Sequence, residues 1–452
     1  MGATNIAILL WGHEIEDFLD SIGISIDQLC SEVTSGWAFG YVQALERVGI
    51  RTTLICVSRD KSIRRHTHSP TRTPIITLPS TWLYRLLRRP MQNPYAWCSE
   101  EAYGNWCGPR ARRYFQGVVF NALPYLATPV ITLAKILRKE GCDALLCQEY
   151  EYARFDVCVA LGWLLKLPVF ATFQGGDFQA SKWEKYLRPL SIPAAAGLAV
   201  GAKKELDRLK STYFAPNKKL AYIPNPVDLS IWHGIKRDKA RAMLGLPTSS
   251  EIVIWHGRIE INRKGLDVLL DAWQQIVQDR VGRALCLILV GSGSDDDALR
   301  GMINALRCNN VIFVNKFMTD QELLKVHLSS ADIYAFPSRH EGFPVAVLEA
   351  MASGLPIVAA DAQGIPDILN GGEEAGGIVV PRGDSHSLAE ALGRLLDDPK
   401  LRIDYGARAT KRVEVEFSLN AVGKKLKNFF NQNSNGAPSR NKLYNTPSSD
   451  GL

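Results

Sequence analysis

The chain has 452 residues, too many for one ordinary hydrophobic core, so two domains are expected. Its 46% hydrophobic residues exclude wholesale disorder, and no unbroken apolar run reaches the roughly 18 residues of a membrane span. The net charge of +7 is uneven: eleven Lys/Arg against three Asp/Glu fall within 59–113, a local +8 beside a nearly neutral remainder.

The first apolar run, 6–11, has no basic leader and meets Glu14, Glu16 and Asp17, so it reads as a buried strand rather than a signal peptide. Short apolar runs then alternate with amphipathic stretches, the signature of βαβ units and parallel sheets. Strands are predicted at 6–10, 52–57, 144–147, 169–173, 197–200 and 220–223, with helices at 38–48, 129–140, 154–167 and 203–209. Pro224-Asn225-Pro226 breaks the alternation and reads as an inter-domain turn. Beyond it, strands are predicted at 252–256, 285–290, 311–314, 333–336, 357–360 and 377–380, with helices at 265–278, 296–306, 320–329, 345–353 and 387–396. Two successive α/β units imply two Rossmann-like domains facing across a cleft, with ligand at the carboxyl ends of the strands.

The expected organisation is a first domain over 1–224, carrying a basic insertion at about 58–124, and a second over 225–414. A C-terminal helix at 415–430 would return to the first domain, and the Asn/Ser/Pro/Gly-rich stretch 431–452 reads as a disordered tail. The nine cysteines are scattered without a Cys-x-x-Cys pair and suit reduced core residues, which favours the cytosol.

The residues with the strongest chemical signal run FPSRHEGFPVAVLEAMASGLP from Phe336 to Pro356. A strand ends, a loop follows, and a helix is expected to open at Pro344, a residue type suited to a first helical position. Gly342 permits close backbone approach, and the amides of Gly342, Phe343 and the first turn would form an anion site at the positive end of the helix dipole. Glu341 sits at the loop mouth, and Glu349, one and a half turns into the helix, has the reach and lone pairs to accept a vicinal diol. Either Glu taken alone reads as a cap or a solvated helix residue.

This loop and helix resemble the Glu-x7-Glu hallmark of the family-4 retaining glycosyltransferases. The resemblance extends to Gly257-Arg258 with Lys264-Gly265, to Val290-Gly-Ser-Gly293, to Val380-Pro-Arg-Gly-Asp384 and to Ile223-Pro-Asn-Pro-Val-Asp228. It implies a GT-B fold and a metal-independent, retaining hexosyltransferase that uses a nucleotide-sugar donor. In this resemblance Arg258 and Lys264 grip the donor diphosphate, where two fixed cations offset the charge on the departing group. Glu341 joins them as catalytic, and Glu349, Gly342, Phe343, Pro344, Gly36 and Phe317 line the donor site.

No Asp-x-Asp box stands at a strand end, and Asp295 to Asp297 read as a helix cap, so no metal or other cofactor is expected. Gln148, Gln174 and Asp177 would line the acceptor side. The two Gln stand where the family usually has His, and Gln cannot titrate near neutrality. Front-face displacement, in which the donor phosphate takes the acceptor proton, needs no His there. Two other readings suit the same residues: a nucleotide-sugar-binding protein without transfer activity, and a GT-B epimerase or phosphorylase.

The basic insertion adds a further expectation. Trp82, Leu83, Leu86 and Leu87 beside Arg85, Arg88 and Arg89 suit a short amphipathic helix on an anionic membrane, followed by Tyr95, Trp97, Tyr103, Trp106, Tyr114 and Phe115, residue types that favour the interface. A peripheral position on the cytoplasmic face and a sugar or lipid-linked acceptor follow from it. The alternative is that the apolar residues pack inward and the arginines are simply solvated. No nucleic-acid motif accompanies the charge, and no nucleic-acid partner is expected.

Overall fold

The computed structural model describes residues 4–33, 37–92, 98–104, 110–174, 183–306, 310–316, 318 and 320–434. Two sheets organise them. The first has eight strands: β1 (Asn5–Glu14), β2 (Arg51–Ser58), β3 (Arg64–Thr67), β4 (Pro74–Pro79), β5 (Ala144–Cys147), β6 (Val169–Phe173), β7 (Gly197–Val200) and β8 (Leu220–Tyr222). Their order is β3-β4-β2-β1-β5-β6-β7-β8, parallel except for the edge pairing of β3 with β4. The second sheet has six parallel strands: β9 (Glu251–His256), β10 (Leu285–Gly291), β11 (Val311–Asn315), β12 (Ile333–Phe336), β13 (Ile357–Ala360) and β14 (Gly377–Val380), in the order β11-β10-β9-β12-β13-β14. Both are doubly wound, with the winding direction reversing between β1 and β5 and between β9 and β12. Ligands of such sheets bind outside the carboxyl ends of the strands at those reversals.

The central strands are buried on both faces, which is why they read as unbroken apolar runs. Trp255 on β9 and Trp273 on the helix Leu266–Asp279 are fully buried in one cluster. Truncating either to Ala would cost about 3–5 kcal/mol. The last described helix, Leu419–Ser434, lies against the helix Trp37–Arg47 of the first domain, with Phe429 and Phe430 packed on Phe170 of β6.

The segment 58–124 differs from the expected insertion. Its strand β4 pairs with β2 in register from Leu54↔Ile75 to Ser58↔Pro79, with Ile75, Ile76 and Leu78 buried, so part of it belongs to the core sheet. The short apolar run Ile-Ile-Thr-Leu is the available signal, hidden by the flanking prolines. The helix Trp82–Arg88 forms, but Arg88 turns inward onto Glu14 and Asp17 and Tyr84 is buried. Arg88 therefore holds the end of β1 instead of reaching a headgroup. Residues 112–139 are also long and apolar enough to cross a membrane by length and composition, although polar residues interrupt them throughout. Here they fold as two helices, Arg110–Leu126 and Val130–Lys139, with Val119, Leu123, Leu133, Ile136 and Leu137 buried.

Candidate active site

Both strands flanking the reversal in the second sheet deliver chemistry to their carboxyl ends. After β9, Gly257 (φ +154°) carries the chain into Arg258 and the short helix Ile261–Lys264. Gly265 follows at φ +64°, and a Cβ there would lie 2.1 Å from the Pro337 carbonyl, so only glycine allows this approach of the β9 and β12 loops. The β12 loop is pinned from both sides. Arg339 N–H donates to the Arg263 carbonyl at 2.9 Å, and its guanidinium grips Asp267 at 2.7 and 2.6 Å. Burial opposes charge on Asp267, but Arg339 outweighs it and lowers its pKa.

This pinning brings Lys264 Nζ to 2.7 Å from Glu341 Oε1, with side-chain exposures of only 17% and 9%. Arg258 lies nearby in sequence but pairs with Glu260 at 3.2 Å, and Glu260 also faces Arg263 at 3.7 Å. Three cations therefore gather on the β9 loop with two carboxylates among them. Glu349, inside the helix Val345–Ala352, is buried, and its Oε2 lies 3.0 Å from His256 Nε2 at the end of β9. The Glu341 and Glu349 side chains are thus each tied to the β9 end, by different partners.

Two details of the loop depart from expectation. Pro344 is the N-cap residue in extended geometry (φ −71°, ψ 116°), and the helix proper begins at Val345. Phe343 N–H is not free for an anion: it donates to the Gln174 carbonyl at 2.8 Å, across from the first domain. A phosphate would instead meet the first-turn amides after Pro344. Gly342 is buried, with its carbonyl so close to Gly364 that a Cβ on Gly364 would lie 2.1 Å away.

The first domain answers with the ends of β1 and β5. The register of β1 slips between Leu9 and Glu14, and Trp11 takes φ +58°. Buried Arg154 donates to the Leu10 and His13 carbonyls at 2.7 and 2.8 Å, satisfying acceptors that the slip leaves outside the ladder. Gln148 Oε1 accepts from Trp11 N–H at 2.6 Å, so this side chain joins β5 to β1. Next to it Glu149 adopts φ +48° and is buried. Burial raises its pKa to about 8, opposed by the Gln174 backbone N–H it accepts and reinforced by Glu151 and Glu205.

Gln174 is 5% exposed, and its Nε2 is committed to the Tyr41 hydroxyl at 2.5 Å and the Ile223 carbonyl at 3.3 Å. Its Oε1 has no hydrogen-bond partner among the described residues. Gly36, Asp177 and Phe317 lie outside the described residues. His256, Glu149 and Glu260 are not singled out by the sequence, and Asn225 is marked there only as part of the inter-domain turn. Only His256 carried a usable signal, an ionisable residue closing an apolar strand two positions before Arg258.

Residues 250–398, the second sheet and most of its helices, match the family model described as Glycosyl transferases group 1. The chain carries a group 1 glycosyl transferase domain on a GT-B fold. Among curated proteins, it is 32% identical over 237 residues to the D-inositol 3-phosphate glycosyltransferase of Kineococcus radiotolerans, covering 49% of this chain and 54% of that one. It is 32% identical over 233 residues to the GDP-mannose-dependent monoacylated alpha-(1-6)-phosphatidylinositol monomannoside mannosyltransferase of Corynebacterium glutamicum, covering 49% and 58%. The chain thus spans about half the length of these relatives.

Across the whole GT-B fold, the sucrose-phosphate synthase of Thermosynechococcus elongatus superposes with TM-score 0.68 at 21% identity, covering 95% of this chain and 98% of that one. HepE of Anabaena in complex with UDP-glucose superposes with TM-score 0.64 at 15% identity, covering 94% and 99%. Within the group 1 domain, the loops after β9 and β12 are the ones that hold the Lys264–Glu341 pair.

Proposed function

We propose that the chain is a retaining, metal-independent glycosyltransferase that moves a sugar from a nucleotide-sugar donor onto an acceptor at a membrane surface. The observation that carries this reading is the Lys264–Glu341 pair at the reversal between β9 and β12, with Arg258 and Arg263 on the same loop. In the proposed step the acceptor hydroxyl oxygen bonds to the anomeric carbon from the face the diphosphate leaves. The bond from that carbon to the diphosphate oxygen breaks, and the leaving phosphate takes the hydroxyl proton. Arg258 and Lys264 offset the charge released on the diphosphate, Glu341 orients Lys264, and Glu349 accepts from the ribose. No side chain at the Gln148 or Gln174 position needs to titrate.

Two observations support the membrane acceptor. Trp82, Leu86, Tyr114 and Phe115 are large apolar residues left exposed, at 69%, 48%, 77% and 62%, alongside exposed Arg89, Arg110 and Arg112. One curated relative is by name a phosphatidylinositol mannoside mannosyltransferase, and HepE was solved with UDP-glucose. A peripheral position on the cytoplasmic face of a membrane follows from the same reading.

The test is incubation with UDP-, GDP- and ADP-sugars and an anionic lipid acceptor in the presence of EDTA, followed by NMR of the product. A retained anomer is expected. An inverted anomer or a strict manganese requirement would overturn the mechanism. Absence of both transfer and donor hydrolysis would favour a nucleotide-sugar-binding protein.

A further inference from the structure

We infer that Asn225 and Gln174 are positioning residues that clamp the Phe343 backbone and thereby set the donor loop of the second domain. The inference rests on the glycosyltransferase reading above for what the loop does, but not for the clamp itself. Phe343 N–H donates to the Gln174 carbonyl at 2.8 Å, and the Phe343 carbonyl accepts from Asn225 Nδ2 at 2.8 Å. Both backbone polar groups of one residue in the second domain, on the two successive peptide bonds that flank it, are therefore spent on groups outside that domain, one just past β6 and one in the inter-domain turn.

Each jaw of the clamp is itself held. Gln174 N–H donates to both Glu149 oxygens at 3.1 and 3.2 Å, and its side-chain amide is anchored on Tyr41 and Ile223. Asn225 stands between Pro224 and Pro226. Proline fixes its own φ and restricts the residue before it, so the turn holds the Asn amide with little conformational freedom. Phe343, Gln174, Asn225, Glu149 and Tyr41 are all buried, where hydrogen bonds strengthen and unmade ones are costly. Gly201, just past β7, leaves the space this requires: a Cβ there would lie 2.5 Å from Gln174 Oε1 and 3.0 Å from Phe343 Cβ.

The clamp acts at the right place to matter for the reaction. Phe343 is two residues after Glu341 and two before the helix that carries Glu349. Fixing its backbone on both sides fixes the entry of that helix, so both carboxylates inherit their position relative to the first domain. A displacement of about 1 Å at such a group costs about 100-fold in rate.

Two variants act on opposite sides: Asn225→Leu removes the donor with little change of volume, and Gly201→Ala inserts a wedge. Three readouts apply to both: amide hydrogen exchange of a peptide spanning 338–345, affinity for UDP and GDP, and the split of donor kcat and KM. The expected result is exchange about tenfold faster or more, because the Phe343 N–H opens from the Gln174 carbonyl more often once the other side of the residue is released or displaced. Nucleoside diphosphate affinity should stay within about threefold, while kcat falls about 10–100-fold. Unchanged exchange in both variants overturns the clamp. Wild-type kcat, or equal losses of nucleotide affinity, kcat and melting temperature, reduces it to a general structural contact and overturns the positioning role. If the wild-type protein transfers no sugar at all, the glycosyltransferase reading fails on its own, and the exchange measurement still decides the clamp.

Discussion

Lys264 Nζ sits 2.7 Å from Glu341 Oε1, joining the loop after β9 to the loop after β12. The two strands are neighbours in space at the winding reversal but 77 residues separate the pair in sequence. Lys264→Ala should lower kcat about 100- to 1000-fold, since the ammonium stabilises charge that appears as the diphosphate departs. It should also destabilise the fold, by about 3 kcal/mol at most, by leaving the largely enclosed Glu341 carboxylate without its counter-ion. The double variant Lys264→Met with Glu341→Gln separates the effects: stability recovers in urea melts and turnover does not. Near-wild-type turnover in Lys264→Ala would remove Lys264 from the catalytic machinery.

His256 and Glu349 form a second buried contact at the same reversal, at 3.0 Å. His256→Ala removes a hydrogen bond to a carboxylate, a class worth about 1.5–3 kcal/mol. Nucleoside diphosphate binding, measured by calorimetry, should weaken about tenfold or more as Glu349 loses its orientation. Unchanged affinity would mean that Glu349 does not contact the nucleotide.

Glu149 gives the fold a pH dependence. Burial raises its pKa from 4.5 to about 8, so between those values the folded protein holds a proton that the unfolded chain has released. Its contribution is fully present below pH 4.5 and is lost as pH rises towards 8, with a limiting slope of about 1.4 kcal/mol per pH unit. Glu151, raised by burial to about 7, acts in the same direction over a narrower range. Melting temperatures at pH 5, 6.5 and 8 should therefore fall more steeply for the wild type than for Glu149→Gln. Parallel curves would refute the protonated Glu149.

Membrane docking should depend on the exposed aromatics rather than on Arg88. Replacing Trp82, Tyr114 and Phe115 together by Ser should reduce co-sedimentation with anionic vesicles about tenfold or more, since each removes apolar area from the interface. Arg88→Glu should instead unfold or destabilise the first domain, because Arg88 pairs with Glu14 and Asp17. Wild-type binding by the triple variant would end the docking surface proposed for these residues.

Much of this architecture is legible along the chain. Strands buried on both faces announce themselves as apolar runs, so β5, β6, β7, β12 and β13 fall where periodicity puts them, as does the apolar edge strand β14. The loop from Glu341 to Glu349 is equally local: strand, glycine, proline and helix follow within a few residues. β4 is hard to read because prolines bracket its short apolar run and because partner strand β2 lies outside any local window.

What the sequence determined by itself is therefore the set of elements, their parallel pairing and the charged residues offered at strand ends. Tertiary structure decided which of those charges meet and which backbone groups remain free. Lys264 finds Glu341 only because β9 and β12 are adjacent, and Glu349 finds His256 for the same reason. Phe343 N–H, open to an anion in any local reading, is taken by Gln174 from the other domain, and Arg88, basic and amphipathic in its own helix, is drawn inward by Glu14 and Asp17. The physical reason is common to all four. Element formation depends on patterns within ten or so residues, whereas a buried polar group takes whichever partner the packed fold brings within hydrogen-bond reach, at any separation in sequence.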